Sequence, residues 1–269
     1  ILHEPSYVSY KPCTIFAGGT PVCVDTGVEE EFTLRAEKVE EKITEHTKAI
    51  ILSYPNNPTG AALGRKEVEA IAEVAAEHDL LVISDEIYGK LTYEGSHTCF
   101  SSLNGMKERT ILLNGFSKAY AMTGWRIGYA AGNKEIIEAM MKIHQYIMLC
   151  APITAQMAAV EALRCDDEAE RMVGEYNRRR RLMVEGLREI GLSCFEPKGA
   201  FYTFPSIEST GLTSDAFAKR LLLDEKVVVI PGSVFGESGE GFVRCAYAVS
   251  EYELKEALER MGRFLARIV

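Results

Sequence analysis

The 269 residues are 47% apolar and 26% charged, which supports one large or two modest folded domains and argues against a disordered chain. A net charge of −9 excludes a broad nucleic-acid or anionic-membrane surface, although a local basic pocket is compatible with it. Seven scattered cysteines without a CxxC pair read as reduced thiols, five histidines form no ligand-spaced metal cluster, and no apolar run reaches the ~18 residues of a membrane span. With no basic-then-apolar opening of the signal-peptide kind, the expectation is a soluble cytoplasmic protein without metal, nucleic-acid or membrane partner.

The elements read clearly from residue 49 onward. Residues 49–54 (AIILSY) form a continuous apolar strand closed by the turn-rich Asn56-Asn57-Pro58-Thr59-Gly60. Residues 65–79 are a helix with Val68, Ile71, Ala72 and Ala75 on one face, followed by strands at 80–84 (LLVIS), 110–114 (TILLN) and 128–131. Helical periodicity runs from 134 to 163 with a break at Pro152, and again from 168 to 190, where Arg178 to Arg181 read as a solvated face. Short strands follow at 193–195, 200–204, 227–230 and 242–246, with a helix at 214–223. The last helix opens at Ser250, where Ser250 and Glu253 have capping-box spacing, and presents Leu254, Ala257, Leu258, Met261 and Leu265 at helical intervals. Strands alternating with helices predict an α/β fold: a large domain with a mostly parallel sheet sandwiched by helices (1–170) and a smaller C-terminal α/β domain (171–269).

Polar residues gather where the predicted strands end. Asn57, Asp85 and the Ser117-Lys118 pair each follow the carboxyl end of a strand, the edge at which open α/β sheets place ligands. Each has a plainer reading: Asn57 as a turn asparagine, Asp85 as a helix-cap or turn aspartate, Lys118 as a surface lysine. Arg244, amid Phe242, Val243, Cys245 and Ala246, is costly to bury without an anionic partner, either a structural carboxylate or a bound one.

The run Ser117-Lys118 followed by Gly124-Trp125-Arg126-Ile127-Gly128 resembles the lysine segment of fold-type I, class I/II aminotransferases that depend on pyridoxal 5'-phosphate (PLP). The resemblance extends through Asn56-Asn57-Pro58-Thr59-Gly60, Ser84-Asp85-Glu86-Ile87-Tyr88, Pro197-Lys198-Gly199-Ala200-Phe201-Tyr202, Pro231-Gly232-Ser233 and Phe242-Val243-Arg244, five motifs in family order along the whole chain. It implies a PLP-dependent transferase-like fold, a homodimer, and Lys118 as the residue that holds PLP as a Schiff base and later moves the Cα proton. By the same resemblance Asp85 faces the pyridine nitrogen, Asn57 and Tyr88 donate to the ring's phenolic oxygen, and Ser117 and Arg126 grip the phosphate. Tyr7 matches the aromatic residue stacked on the ring, and Arg244 the arginine that pairs with the substrate α-carboxylate, with Asn57 a second substrate-binding residue. Each role suits its residue: a lysine amine must be held neutral to attack a carbonyl, and a guanidinium fork matches carboxylates and phosphates. The plainer readings stay open for Tyr88 and Trp125 as packing residues and for Arg126 as an ion-pair arginine.

Transamination between an L-amino acid of aspartate, aromatic or alanine type and a 2-oxo acid such as 2-oxoglutarate is the implied reaction. A PLP-dependent lyase of the same fold and a non-catalytic sensor module are the rivals. The family pattern also carries an N-terminal arm, a phosphate loop and a tyrosine directed at the neighbouring subunit, all upstream of the segment matching Glu4-Pro5-Ser6-Tyr7. The expectation is therefore that these residues are part of a longer chain.

Overall fold

The computed structural model describes residues 1–268. Its main sheet has the order β2-β1-β3-β4-β5-β6, built from β1 (Leu2–Glu4), β2 (Cys23–Asp25), β3 (Ala49–Ser53), β4 (Leu81–Asp85), β5 (Thr110–Gly115) and β6 (Gly128–Ala131). The first five strands run parallel, and β6 alone is antiparallel to its neighbour. Parallel strands need crossovers, supplied by α1 (Tyr10–Phe16), α2 (Ala36–Glu40) and α3 (Arg65–Glu77). The predicted face of α3 is the buried one: Val68, Ile71, Ala72 and Ala75 enter the core together with Val74.

Beyond β6 come α4 (Lys134–Ile147), α5 (Ile153–Ala162) and the 24-residue α6 (Asp166–Glu189), with the expected break at Pro152. A second, three-stranded antiparallel sheet has the order β7-β9-β8, from β7 (Tyr202–Thr203), β8 (Ile230–Pro231) and β9 (Val243–Ala246). It packs with α7 (Ser214–Glu225) and α8 (Glu251–Ile268). At the entry to α8, the Ser250 amide and hydroxyl donate to the Glu253 carboxylate, and the Glu253 amide donates back to the Ser250 hydroxyl, the reciprocal cap that the spacing predicts.

Among the described residues two large apolar cores form, with smaller clusters around Tyr88 and Phe116. One lies around the main sheet, with Phe32, Leu34, Ile50, Ile71, Val82 and Phe100. The other joins Met183, Leu187, Phe217, Leu221, Val243 and Phe264. Phe204 and Phe235, from the C-terminal part of the chain, pack into the first core and tie the two together.

Several expectations need correction. The strand at 193–195 reduces to a single bridge between Cys194 and Pro205, because no neighbouring strand continues the ladder. The strands at 200–204 and 227–230 contract to Tyr202–Thr203 and Ile230–Pro231. Residues 1–48, where no element was assigned, contain two strands and two helices whose short runs gain order from neighbours distant in sequence. Arg180 is not on a solvated face: it is 2% exposed, donates to the Pro197 carbonyl, pairs with Glu94 and lies over the Tyr93 ring. Among the described residues no helix is long and apolar enough to cross a membrane. Glu40, Glu77 and His78 lie close together on the surface, a juxtaposition the linear spacing does not reveal, but all three are exposed.

Candidate active site

Strands β3, β4 and β5 are adjacent and parallel, with Ser53 opposite Asp85 and Asp85 opposite Leu113. Their carboxyl ends therefore deliver Asn57, Asp85 and Lys118 to one edge of the sheet. The turn after β3 is organised by Asn56, whose side-chain oxygen accepts from the Thr59 amide at 3.0 Å and the Thr59 hydroxyl at 2.8 Å. Gly60 (φ +74°) closes that turn so tightly that a Cβ would sit 2.4 Å from the Pro197 Cβ. Its carbonyl accepts from the Lys198 and Gly199 amides, which docks the PKGAFY segment beside Asn57. The packing at Gly199 is equally tight: a Cβ there would meet the Pro55 ring at 2.5 Å.

Lys118 is half-buried, and its Nζ lies 5.6 Å from the Phe201 ring centre and 5.9 Å from that of Tyr88. Burial, reinforced by the positive charges of Arg244 and Arg126, lowers its pKa below the ordinary lysine value, while Asp85 opposes the shift. Asp85 is moved the other way: burial raises its carboxyl pKa, although the Tyr10 hydroxyl (2.8 Å), the Ile87 amide (3.1 Å) and the charge of Lys118 favour the carboxylate. The site thus holds a half-buried amine and a half-buried carboxylate, and burial disfavours the charged form of each.

Arg244 Nη1 donates to Asn57 Oδ1 at 2.8 Å. Its guanidinium carbon lies 4.5 Å from the Tyr202 ring centre and 4.9 Å from that of Phe235. Among the described residues no carboxylate comes within ion-pair distance of it, so the structural Asp or Glu considered as its partner is absent there. Tyr88, 4% exposed, shares a 2.8 Å hydroxyl–hydroxyl hydrogen bond with Tyr202, and burial keeps its phenol firmly protonated.

The remaining candidates lie further out. Ser117 is half-buried, and its carbonyl accepts from the Thr123 hydroxyl. Arg126 is exposed, adopts a left-handed backbone (φ 55°) and donates from Nη1 to the Thr123 carbonyl at 2.7 Å. Trp125, expected to pack, is 48% exposed. Tyr7 meets Tyr10 edge-on at 5.7 Å and so adjoins Asp85 through that residue.

Sequence reasoning passed over Tyr10, Tyr202, Phe201 and Phe235. Tyr202 and Phe201 stood inside the PKGAFY motif and could have been singled out there. Tyr10 is joined to Asp85 across 75 residues, and no local pattern announces that contact.

The carboxyl ends of a parallel sheet, bringing a half-buried lysine and a half-buried carboxylate to one edge, define an α/β enzyme equipped for amine chemistry. The pattern of the aminotransferase class I and II family matches residues 1–261. YugH of Bacillus subtilis is 53% identical over 266 residues, covering 98% of this chain and 69% of that protein. The aspartate aminotransferase of Pyrococcus abyssi is 48% identical over 269 residues, with 98% and 69% covered. The crystal structure of an aromatic aminotransferase from Pyrococcus horikoshii superposes with a TM-score of 0.96 at 47% identity, covering 99% of this chain and 72% of that one. The chain belongs to the class I and II aminotransferase family and is an enzyme of amino-acid transamination. The lyase and sensor alternatives are not favoured.

Proposed function

We propose that this aminotransferase binds PLP between Lys118 and Asp85 and moves an amino group from an aspartate-, aromatic- or alanine-type L-amino acid to a 2-oxo acid such as 2-oxoglutarate. The observation that carries this reading is the donor set: a half-buried Lys118 with lowered pKa, electrostatically coupled to the half-buried Asp85 carboxylate, whose other polar contacts are neutral donors. A protonated ring nitrogen would be a positive partner for Asp85, and a carbonyl carbon would be the partner for the Lys118 amine, whose charged form burial disfavours, so the residues fit the cofactor. When bound, PLP supplies the electron sink that accepts charge as the substrate Cα–H bond breaks.

The chain's own groups then have definite tasks. Lys118 would hold the cofactor through Nζ and, when free, would take the proton from the substrate Cα as general base. Asp85 holds a proton at the ring nitrogen, with Tyr10 keeping the carboxylate aimed. Because Asn57 Oδ1 is engaged by Arg244, its Nδ2 is left to donate to the phenolic oxygen, alongside the Tyr88 hydroxyl. Ser117 and Arg126 hold the phosphate through a hydroxyl and a guanidinium fork, and Tyr7 covers the ring. Arg244 keeps most of its five donors for the substrate α-carboxylate, and the Tyr202 and Phe235 rings limit water around it.

The same reading divides the chain inside α6, at 1–170 and 171–269, supported by the two apolar cores. A homodimer is supported by the exposed apolar residues of α4 and α5, among them Met141, Ile143, Ile147 and Met157. Seven free cysteines support a cytoplasmic location.

Replacement of Lys118 by Ala tests the reading. Transamination and the absorbance of lysine-bound PLP should both vanish, and turnover retained at the wild-type rate would refute the assignment. A panel of amino donors, followed by the absorbance change between aldehyde and amine forms of the cofactor, then identifies the substrate.

A further inference from the structure

Beside the half-buried Asp85 lies a buried carboxylate that the proposed mechanism does not use. Glu86 is 3% exposed, yet every oxygen lone pair that matters is engaged. Oε1 accepts from the Ser84 hydroxyl and the Phe100 amide, each at 2.9 Å, and Oε2 faces His97 Nε2 at 2.7 Å. Glu86 lies one residue past the end of β4, and its hydrogen bond from the Ser84 hydroxyl puts its carboxylate on the side of Ser84. The charged and titratable groups around it are Asp85 at the end of β4, His97 and Cys99 on the packed loop, and Tyr129 on β6.

The backbone between Asp85 and Gly89 is a turn closed on itself: Asp85 Oδ1 accepts the Ile87 amide, and the Glu86 carbonyl accepts the Gly89 amide at 2.8 Å. His97 lies against the end of this turn, so close that a Cβ on Gly89 would approach its Cδ2 to 2.9 Å. The Glu86 carboxylate thus bolts the turn to the segment containing His97 and Phe100. Asp85 stands one residue before that bolt, and Tyr88 two residues after it.

We infer that Glu86 and His97 are a positioning pair, holding the turn that presents Asp85 and Tyr88 to the cofactor; the inference rests on the PLP reading above. A buried carboxylate is a costly means of securing a turn for stability alone, and its use here serves the alignment of two ligands.

The test uses the full-length protein with Glu86→Gln, His97→Leu and His97→Gln, the last retaining a side-chain N–H near the position of Nε2. Three measurements are made: amide hydrogen exchange of residues 85–89 without PLP, PLP affinity by titration, and the pH midpoint of the lysine-bound PLP absorbance. His97→Leu and Glu86→Gln should speed exchange in the turn several-fold, weaken PLP binding by about tenfold and raise the midpoint by about half a unit, the consequence of one lost charge-assisted hydrogen bond. The midpoint rises because a misplaced Tyr88 donor and a misplaced Asp85 each cease to lower it. His97→Gln should remain close to wild type in all three. If Glu86→Gln does not fold, the partly exposed His97 carries the test. Unchanged exchange, affinity and midpoint in His97→Leu would overturn the pairing, as would a His97→Gln protein that behaves like His97→Leu. Failure of the wild type to take up PLP would instead sink the cofactor reading, and the exchange rates would then judge the pair alone.

Discussion

Arg244 shows how a side chain's chemistry is set by what touches it. A guanidinium on a strand of apolar neighbours needs compensation, and it finds two ring faces and one amide oxygen rather than a carboxylate. Most of its donors are left for a ligand. Arg244→Lys keeps the charge but loses the fork, so the KM for the amino donor should rise by about 10- to 100-fold, the loss of roughly 1.5–3 kcal/mol of charged hydrogen bonding. Because the carboxylate is bound similarly in ground and transition states, kcat should change much less, which steady-state kinetics will show. The candidate residues at strand ends were legible in sequence because each follows its strand within a few positions. Tyr10 was not, because its partner Asp85 is reached only through the fold.

At the scale of elements, strong local signals matched the observed structure and weak ones did not. Strand β6 coincides with residues 128–131, and the buried face of α3 is the one its periodicity indicates. The cap at Ser250 is likewise local, since both partners lie within one helical turn. Ser250→Ala removes its hydroxyl contacts and should lower the melting temperature by about 2–4 °C, measurable by calorimetry. By contrast, β1 has three residues, two of them His3 and Glu4, and its order comes from pairing with β2 and β3. Arg180 looked solvated within a run of four arginines, but helical rotation turns it toward Glu94 and the Pro197 carbonyl.

At the scale of the whole molecule, His3 links stability to pH. It is fully buried, neither ring nitrogen has a hydrogen-bond partner, and burial pushes its pKa down from 6.5 to about 4. Below pH 6.5 the unfolded chain binds a proton that the folded one excludes, so stability falls with pH until the folded pKa is passed. Between pH 6.5 and 5, above the ordinary carboxylate range, the loss should be about 1.6 kcal/mol, and denaturant titrations of wild type and His3→Leu should differ by that amount across the interval. What the linear chain determined by itself was the alternation of strand and helix, the face of each long helix and the identity of the strand-end residues, all consequences of spacing along one backbone. What only the tertiary structure decided was which distant groups meet: Tyr10 with Asp85, Arg244 with Asn57, His97 with Glu86. Those contacts depend on register and packing between remote segments, and burial, which shifts Lys118 and Asp85 in opposite directions, exists only once the segments have come together.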